Sequence, residues 1–437
     1  MLALGPQSGY CKRQAGRKRL PLDAGAFPHA IHMKLLLYAH DWAPTLGGIQ
    51  TVTQILARDL AAGGAPAIEV TLVTRTPAGE MDDSALTYRV VRRPSLVRLF
   101  TLIRESDVIH IAGPCIAPLG LSWLLRKPAV IEHHGFQAIC PNGQFLYQPT
   151  CSPCPDNFMA GRHLECLRCN SGEGWLASLR LWLLAFLRRG LSKRASANIV
   201  PTNYLNGMLR LRRTREIPHG SPKPEAESVW PSFNCGNRGG DSGLGGNRDS
   251  KTVATFLFVG RLVSAKGPDL LLRAATRLRR MGLVFRVNFV GDGPERVVLE
   301  THARAAGLGS LVTFSGALSA EDLERAWANS IALVMPSLAG EVFGLVVAEA
   351  MLRGKPVIVP SNGALAEVAG DAAFTFSVGD DQGLANAMRE CAECPEEAAV
   401  RGANGCRRAE ELFGEGTMVS QHAQLYAGLA PLSARIR

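Results

Sequence analysis

Two carboxylates stand eight residues apart in Pro336-Ser337-Leu338-Ala339-Gly340-Glu341-Val342-Phe343-Gly344-Leu345-Val346-Val347-Ala348-Glu349, where an apolar strand gives way to a helix. Along an ideal helix that spacing is about 12 Å, which suits hydroxyl groups at two parts of a long ligand better than one metal ion. Backbone amides around Phe343-Gly344, at the helix start, are placed to receive a phosphate or carboxylate. The plainer alternative is a solvent-facing Glu349 and a helix-start acid at Glu341. Upstream, Arg261 and Lys266 occupy the turn before the helix opened by Gly267-Pro268. A guanidinium donates in a fork to phosphate oxygens, and an ammonium adds a compact charge. With the Gly291-Asp292-Gly293-Pro294 turn after the next strand, this set reads as a pocket for a nucleotide diphosphate.

Positioning such groups takes strands that end at a common edge. The pattern predicts strands at Met33–Ala39, Glu69–Thr74, Val108–Ala112, Ala129–His133 and Asn198–Pro201, with apolar helical stretches between several of them. A second series follows: strands at Thr255–Gly260, Phe285–Gly291, Ile331–Pro336 and Pro356–Pro360, and helices at Pro268–Met281, Glu295–Ala306, Ala320–Asn329 and Gly344–Arg353. Short strands alternating with helices predict an α/β fold with mostly parallel sheets covered on both faces. Residues 1–32 carry a basic patch and no signal-type apolar run, so they read as a disordered extension, with Met33 a candidate start. Residues 33–220 then form a first domain, 221–251 a Pro- and Gly-rich linker, 252–395 a second domain, and 396–437 a helical tail that packs back on the first. Two α/β domains on a hinge favour binding in the cleft between their sheet ends.

Arg261 with Lys266, the Gly-Asp-Gly-Pro turn, and Glu341-x-Phe343-Gly344 followed by Glu349 together resemble the retaining two-domain glycosyltransferase family that includes glycogen synthases, sucrose synthases and bacterial mannosyltransferases. The resemblance covers about residues 33–425 apart from the linker, and it implies the GT-B architecture, two Rossmann-like domains facing a cleft. It also implies roles. Arg261 and Lys266 would neutralise the donor diphosphate, Glu349 would bind the ribose hydroxyls, and Glu341 would contact the sugar, with the Phe343, Gly344 and Leu345 backbone nearby. Gly47-Gly48, at the first helix of the other domain, would approach the same diphosphate. Of the adjacent His133 and His134, the family's His-Gly pattern selects His134 for the transferred sugar or the leaving group; a polar strand end is the structural alternative. His110 is a weaker cleft candidate. No catalytic metal is implied, and the donor would be a nucleotide-diphosphate sugar.

Three positions depart from the family pattern. Val342 stands where glycine is common, Ser361-Asn362-Gly363 where two glycines often precede Glu367, and His219-Gly220 where Asn-Gly is common. Acidic and phosphate-facing positions remain, so activity is expected. The family implies transfer to a saccharide or lipid-linked acceptor in cell-surface polysaccharide or glycolipid synthesis. A nucleotide-sugar epimerase of the same architecture and a non-catalytic sugar-nucleotide-binding module are the alternatives.

Five of the eleven cysteines fall between Cys140 and Cys169. Cys151-x2-Cys154 and Cys166-x2-Cys169 have the spacing of a structural zinc site with four thiolate ligands, His163 being a substitute ligand. Reduced thiols without metal and disulfides remain open alternatives. Trp175–Leu187 is apolar and aromatic, and Arg188, Arg189, Lys193 and Arg194 follow. Thirteen helical residues rise about 20 Å, too little to span a bilayer. Residues 175–194 therefore read either as an anchor on an anionic membrane surface or as a buried helix with a basic end. The first reading puts the protein in the cytoplasm, peripheral on the inner face of the cell membrane. Residues 1–220 hold 26 Lys and Arg against 14 Asp and Glu, and the remainder 22 against 24. A basic first half fits anionic partners, but no nucleic-acid-reading motif accompanies it.

Overall fold

A computed structural model of the chain describes residues 32–44, 47–63, 67–79, 81–222, 224 and 253–430. Nearly all of the expected extension 1–32 and of the linker 221–251 therefore lies outside the described residues. The first half runs β1 (His32–Ala39), α1 (Gly48–Ala61), β2 (Ala67–Thr74), β3 (Arg89–Arg92), α2 (Leu96–Glu105), β4 (Val108–Ala112), α3 (Ile116–Leu124) and β5 (Ala129–Glu132). The Cys-rich excursion follows, with β6 (Leu146–Tyr147), β7 (Ser152–Pro153) and α4 (His163–Cys169), then α5 (Trp175–Ser192), β8 (Ala197–Val200), α6 (Asn203–Leu209) and β9 (Thr214–Glu216). Seven strands pair in parallel in the order β3-β2-β1-β4-β5-β8-β9. Both faces of β1 are buried: Leu35, Leu37 and Ala39 join one apolar cluster, while Leu36 and Tyr38 join another under α2. This double burial is why the strand reads as a continuous apolar run.

The second half runs β10 (Ala254–Val259), α7 (Pro268–Arg280), β11 (Phe285–Val290), α8 (Arg296–Ala305), β12 (Val312–Gly316), α9 (Ala320–Ala328) and β13 (Ala332–Val334). It continues through α10 (Leu345–Leu352), β14 (Val357–Pro360), α11 (Ala364–Ala369), β15 (Ala373–Phe376), α12 (Asp381–Glu393), α13 (Pro395–Leu412) and α14 (Glu415–Leu429). Its parallel sheet has the order β12-β11-β10-β13-β14-β15. In both sheets the order reverses beside the first strand, the topology that opens a crevice at the strands' carboxyl ends. Helix α14 leaves the second sheet and packs on α1, placing Met418, Tyr426 and Ala427 in the first domain's core.

One expectation changes. The helix expected over Trp175–Leu187 continues to Ser192, because its basic residues extend the helix rather than end it. Glu341 lies ahead of its helix as expected: Gly344 adopts φ 91°, ψ 66°, and α10 begins at Leu345, leaving Glu341 on the preceding loop. The Gly-Asp-Gly turn is explained by packing. A Cβ on Gly291 would lie 2.0 Å from the Gly260 carbonyl oxygen, and one on Gly293 would lie 2.4 Å from that of Leu262. Gly291 also has φ +124°. The Gly291→Ala variant should therefore lose at least about 2 kcal/mol of stability, measured by denaturant unfolding, with a wild-type midpoint contradicting the packing account.

Candidate functional site

A cavity of about 400 Å³ lies between the two sheets' ends. Its walls bring His134 from the first domain to Arg261 and Lys266 of the second, and Gln144 and Gln148 of the Cys-rich excursion close one side. Lys266 lies in the turn ahead of Gly267, whose left-handed conformation lets the backbone touch Pro336; a Cβ there would lie 2.1 Å from the Pro336 carbonyl oxygen. The strand-end turns after β10 and β13 are thereby held together. Across them the Lys266 ammonium contacts the Glu341 carboxylate, which also accepts from the Ser337 hydroxyl at 3.1 Å. Arg261 is exposed on the cavity wall.

Other expected residues take different places. Gly291, Asp292 and Gly293 do not line this cavity; the glycines are occupied by backbone packing, and the exposed Asp292 lies 3.5 Å from Arg296. Gly48 and Leu345 face each other across the domains, since a Cβ on Gly48 would lie 3.0 Å from the Leu345 side chain. The starts of α1 and α10, with Gly47 and Gly344 as their capping residues, thus meet, and neither has a side-chain cap. Uncapped amides at two converging helix starts can receive an anion. Phe343 has a structural side chain: its ring packs edge-on against His219 (5.2 Å) and Phe413 (5.1 Å). Glu349 is half-buried on α10, and burial pushes its carboxyl above the usual range, with Arg353 opposing.

Two contacts beside the departures from the family pattern bridge the domains. The Val342 carbonyl accepts from the Thr202 hydroxyl at 2.8 Å. Glu367 accepts from the Asn203 and Tyr204 amides, each at 2.7 Å, and so caps the start of α6 from the opposite domain.

Sequence reasoning missed the centre of the first domain's edge. Glu132, 1% exposed, lies among four imidazoles: His110 Nε2 at 3.2 Å, His134 Nε2 and His219 Nδ1 at 3.4 Å, and His422 Nε2 at 3.7 Å. These contacts are longer than the usual 2.7–2.9 Å of charge-assisted hydrogen bonds, so they are chiefly electrostatic. Burial alone would raise the Glu132 pKa, but the pull of His134 and the other imidazoles outweighs it and holds the carboxyl well below its ordinary range. His110, expected near the cleft, is instead buried in this cluster, where the Tyr426 hydroxyl meets its Nδ1 at 2.8 Å. Burial lowers its pKa and that of His219. The His134 and His219 rings stack at 5.0 Å. An acid closing the otherwise apolar Ala129-Val130-Ile131-Glu132 strand was the available signal; His422 and Tyr426 lay too far along the chain to give one.

His133 turns away into the sheet. The Asn198 amide nitrogen donates to the Ser192 and Arg212 carbonyls, so its oxygen accepts from His133 Nε2 at 2.9 Å. Among the Cys-rich residues, Cys140, Cys151, Cys154, Cys166 and Cys169 are free thiols. Cys151 does not join the others: it is exposed and directs its thiol to the Gln148 carbonyl. Cys140, which pair spacing had left out, is buried beside Cys154, Cys166 and Cys169. His163 packs among Phe158, Trp182 and Phe186.

Residues 246–408 match the family described as Glycosyl transferases group 1. That segment is therefore similar to a glycosyltransferase group 1 domain, and it lies within a two-domain GT-B fold. It is 34% identical over 183 residues to a D-inositol 3-phosphate glycosyltransferase of Streptomyces avermitilis, covering 39% of each chain. It is 24% identical over 421 residues to a GDP-mannose-dependent alpha-(1-6)-phosphatidylinositol monomannoside mannosyltransferase of Mycolicibacterium smegmatis, covering 90% of this chain and 98% of that one. An Anabaena protein solved in complex with UDP-glucose shares the fold at TM-score 0.65 and 19% identity, over 91% of this chain and 100% of that one. The chain spans less than half the length of the first curated relatives that it matches.

The buried imidazoles make stability pH-dependent. Burial pushes His133 down to about 4, and His110 and His219 are also lowered. Unfolding lets each take up a proton below about pH 6.5, so the unfolded chain binds more protons and stability falls on acidification. For His133 alone the loss between pH 6.5 and 4 approaches about 3 kcal/mol. Glu132 adds to the fall below its ordinary range, since its native carboxylate resists protonation. Calorimetry should show the midpoint dropping across this window, less steeply in His133→Gln; equal slopes would contradict the assignment.

Proposed function

We propose that the chain transfers a glycosyl group, with retention of configuration, from a nucleotide-diphosphate sugar to a saccharide or lipid-linked acceptor in cell-surface polysaccharide or glycolipid synthesis. The observation that carries this reading is the convergence of Arg261, Lys266 and His134 on one interdomain cavity, with Glu341 held by Lys266. A diphosphate entering there offers Lys266 a doubly charged partner in place of Glu341. Glu341 then becomes free to accept hydrogen bonds from the donor sugar's hydroxyls. Arg261 and Lys266 stabilise the charge that develops as the sugar–phosphate bond breaks, and the uncapped starts of α1 and α10 add amide dipoles. The acceptor oxygen bonds to the anomeric carbon on the face that the phosphate leaves, and its proton passes to the departing phosphate oxygen. His134, oriented by Glu132, hydrogen-bonds the transferred sugar. Glu349 accepts from the ribose hydroxyls.

The direct test is incubation with UDP- and GDP-linked sugars and a panel of saccharide and lipid-linked acceptors, followed by product mass and anomer determination. Lys266→Ala should lower turnover by roughly 100-fold or more, the scale of losing one strong electrostatic donor. Glu349→Gln should chiefly raise the KM for donor, because a carboxylate oxygen that accepts is replaced by an amide that donates. Inverted product, or near wild-type kinetics in both folded variants, would defeat this mechanism.

We also propose that the first domain sits on an anionic membrane, where a lipid-linked acceptor would be presented. No helix among the described residues is long and apolar enough to cross a membrane. Helix α5 exposes Trp175, Leu176, Leu183 and Leu187 and carries Arg180, Arg188 and Arg189 without an acidic residue. It packs beside α3, which exposes Trp123 and Leu124, with Arg194 over the Trp123 ring. Apolar side chains set among basic ones suit the boundary of an anionic bilayer. The protein should float with anionic liposomes at low salt and less when Arg188, Lys193 and Arg194 are neutralised; equal flotation with neutral lipid would remove the electrostatic part.

A further inference from the structure

We propose that Cys140, Cys154, Cys166 and Cys169 together hold one zinc ion in a closed structural site that fixes one wall of the interdomain cavity. The four thiols come from three separate segments. Cys140 lies in the turn after His134, Cys154 follows β7, and Cys166 and Cys169 project from α4 three residues apart, on one face of the helix. All four line a single hollow of about 10 Å³, too small for an organic ligand. No carboxylate or imidazole is among its lining residues. An all-sulfur set favours zinc over harder cations, and four thiolates complete its tetrahedron and leave no open position for catalysis.

The Gln148 amide donates to Cys169 Sγ at 3.4 Å. Cys151 has no place in this set, because its left-handed backbone (φ 45°) turns its side chain out to solvent. Phe136, Phe145 and Phe158 pack the segment against α5 and α6, but β6 and β7 pair over only two residues each, and these thiols form no disulfide. A metal is a common additional fastener for so short and irregular a segment.

The fastened segment matters to the cleft. Gln144, Leu146 and Gln148 line the cavity that holds Arg261 and Lys266, and a Cβ on Gly340 would lie 3.0 Å from the Gln144 carbonyl oxygen. The turn between Cys140 and Cys154 therefore forms the cavity wall directly opposite the donor-side loop.

The test is elemental analysis of the full chain purified without added metal, joined to thiol counting. One zinc per chain is expected. A thiol reagent applied to the folded protein should reach four additional cysteines only after chelation. Cys151→Ser should keep the zinc, while Cys140→Ser and Cys166→Ser should lose it. Where a ligand variant fails to fold, cobalt loaded into the wild-type chain supplies the second readout: intense visible bands of tetrahedral cobalt–thiolate are expected. Absence of bound metal, iron in place of zinc, weak octahedral cobalt bands, or zinc lost from Cys151→Ser and kept in Cys140→Ser would each overturn the assignment. These readouts do not depend on glycosyl transfer, so they stand or fall apart from the proposed activity.

Discussion

A carboxylate taken fully out of water costs several kcal/mol unless charge or hydrogen bonding compensates it. Glu132 is such a group, and the architecture around it follows from that demand. Its compensation comes from β4 through His110, from the residues after β5 through His134, from the segment before the linker through His219, and from α14 through His422. Sites scattered from residue 110 to residue 422 are thus tied to one pair of oxygens. Helix α14 gains an electrostatic reason to return to the first domain, in addition to the apolar contacts of Met418 and Tyr426. His134, the member nearest the cavity, is held in place by the same charge.

The second domain works with a smaller device. Lys266 and Glu341 satisfy each other across two strand-end turns whose contact depends on Gly267. Each group is a strong partner for part of the proposed donor, so the pair keeps both poised without leaving either charge alone. The first domain supplies His134 and the wall formed by Gln144 and Gln148. Neither domain holds the complete set.

Buried parallel strands were the most legible feature of the sequence. Val108–Ala112 was bounded at both ends, and Phe285–Val290 to within one residue, because continuous apolar runs flanked by turns have few other readings. Strand β3 gave no such signal: Arg89 and Arg92 bracket Val90 and Val91, and the segment is a strand because it extends β2 at the sheet edge. The loop carrying Glu341 was legible ahead of its helix, but its contact with Lys266 was not, since that depends on two strand-end turns meeting at Gly267. Cysteine spacing found the excursion and paired Cys151 with Cys154, whereas the fold leaves Cys151 exposed and buries Cys140 beside the other three thiols, a contact made only through folding of the intervening turns. Of the Glu132 cluster only the acid at its strand end gave a signal, because its partners are spread along the chain with no periodicity.

The contact between Glu367 and the start of α6 has an evolutionary consequence. Glu367 is recognised chiefly by the main-chain amides of Asn203 and Tyr204, with the Asn203 side-chain amide a longer contact at 3.4 Å. Every residue type except proline supplies the main-chain amide, so the contact itself asks little of position 203, while Tyr204 is held by its packing on the first domain's apolar cluster. Position 367 has no such latitude, because only a carboxylate of that length offers both oxygens to the two amides. Across descendants of this chain position 203 should thus vary while position 367 stays fixed. The same arrangement closes the start of α6 to outside anions, so any change toward a more acidic acceptor would have to be accommodated elsewhere on the first domain.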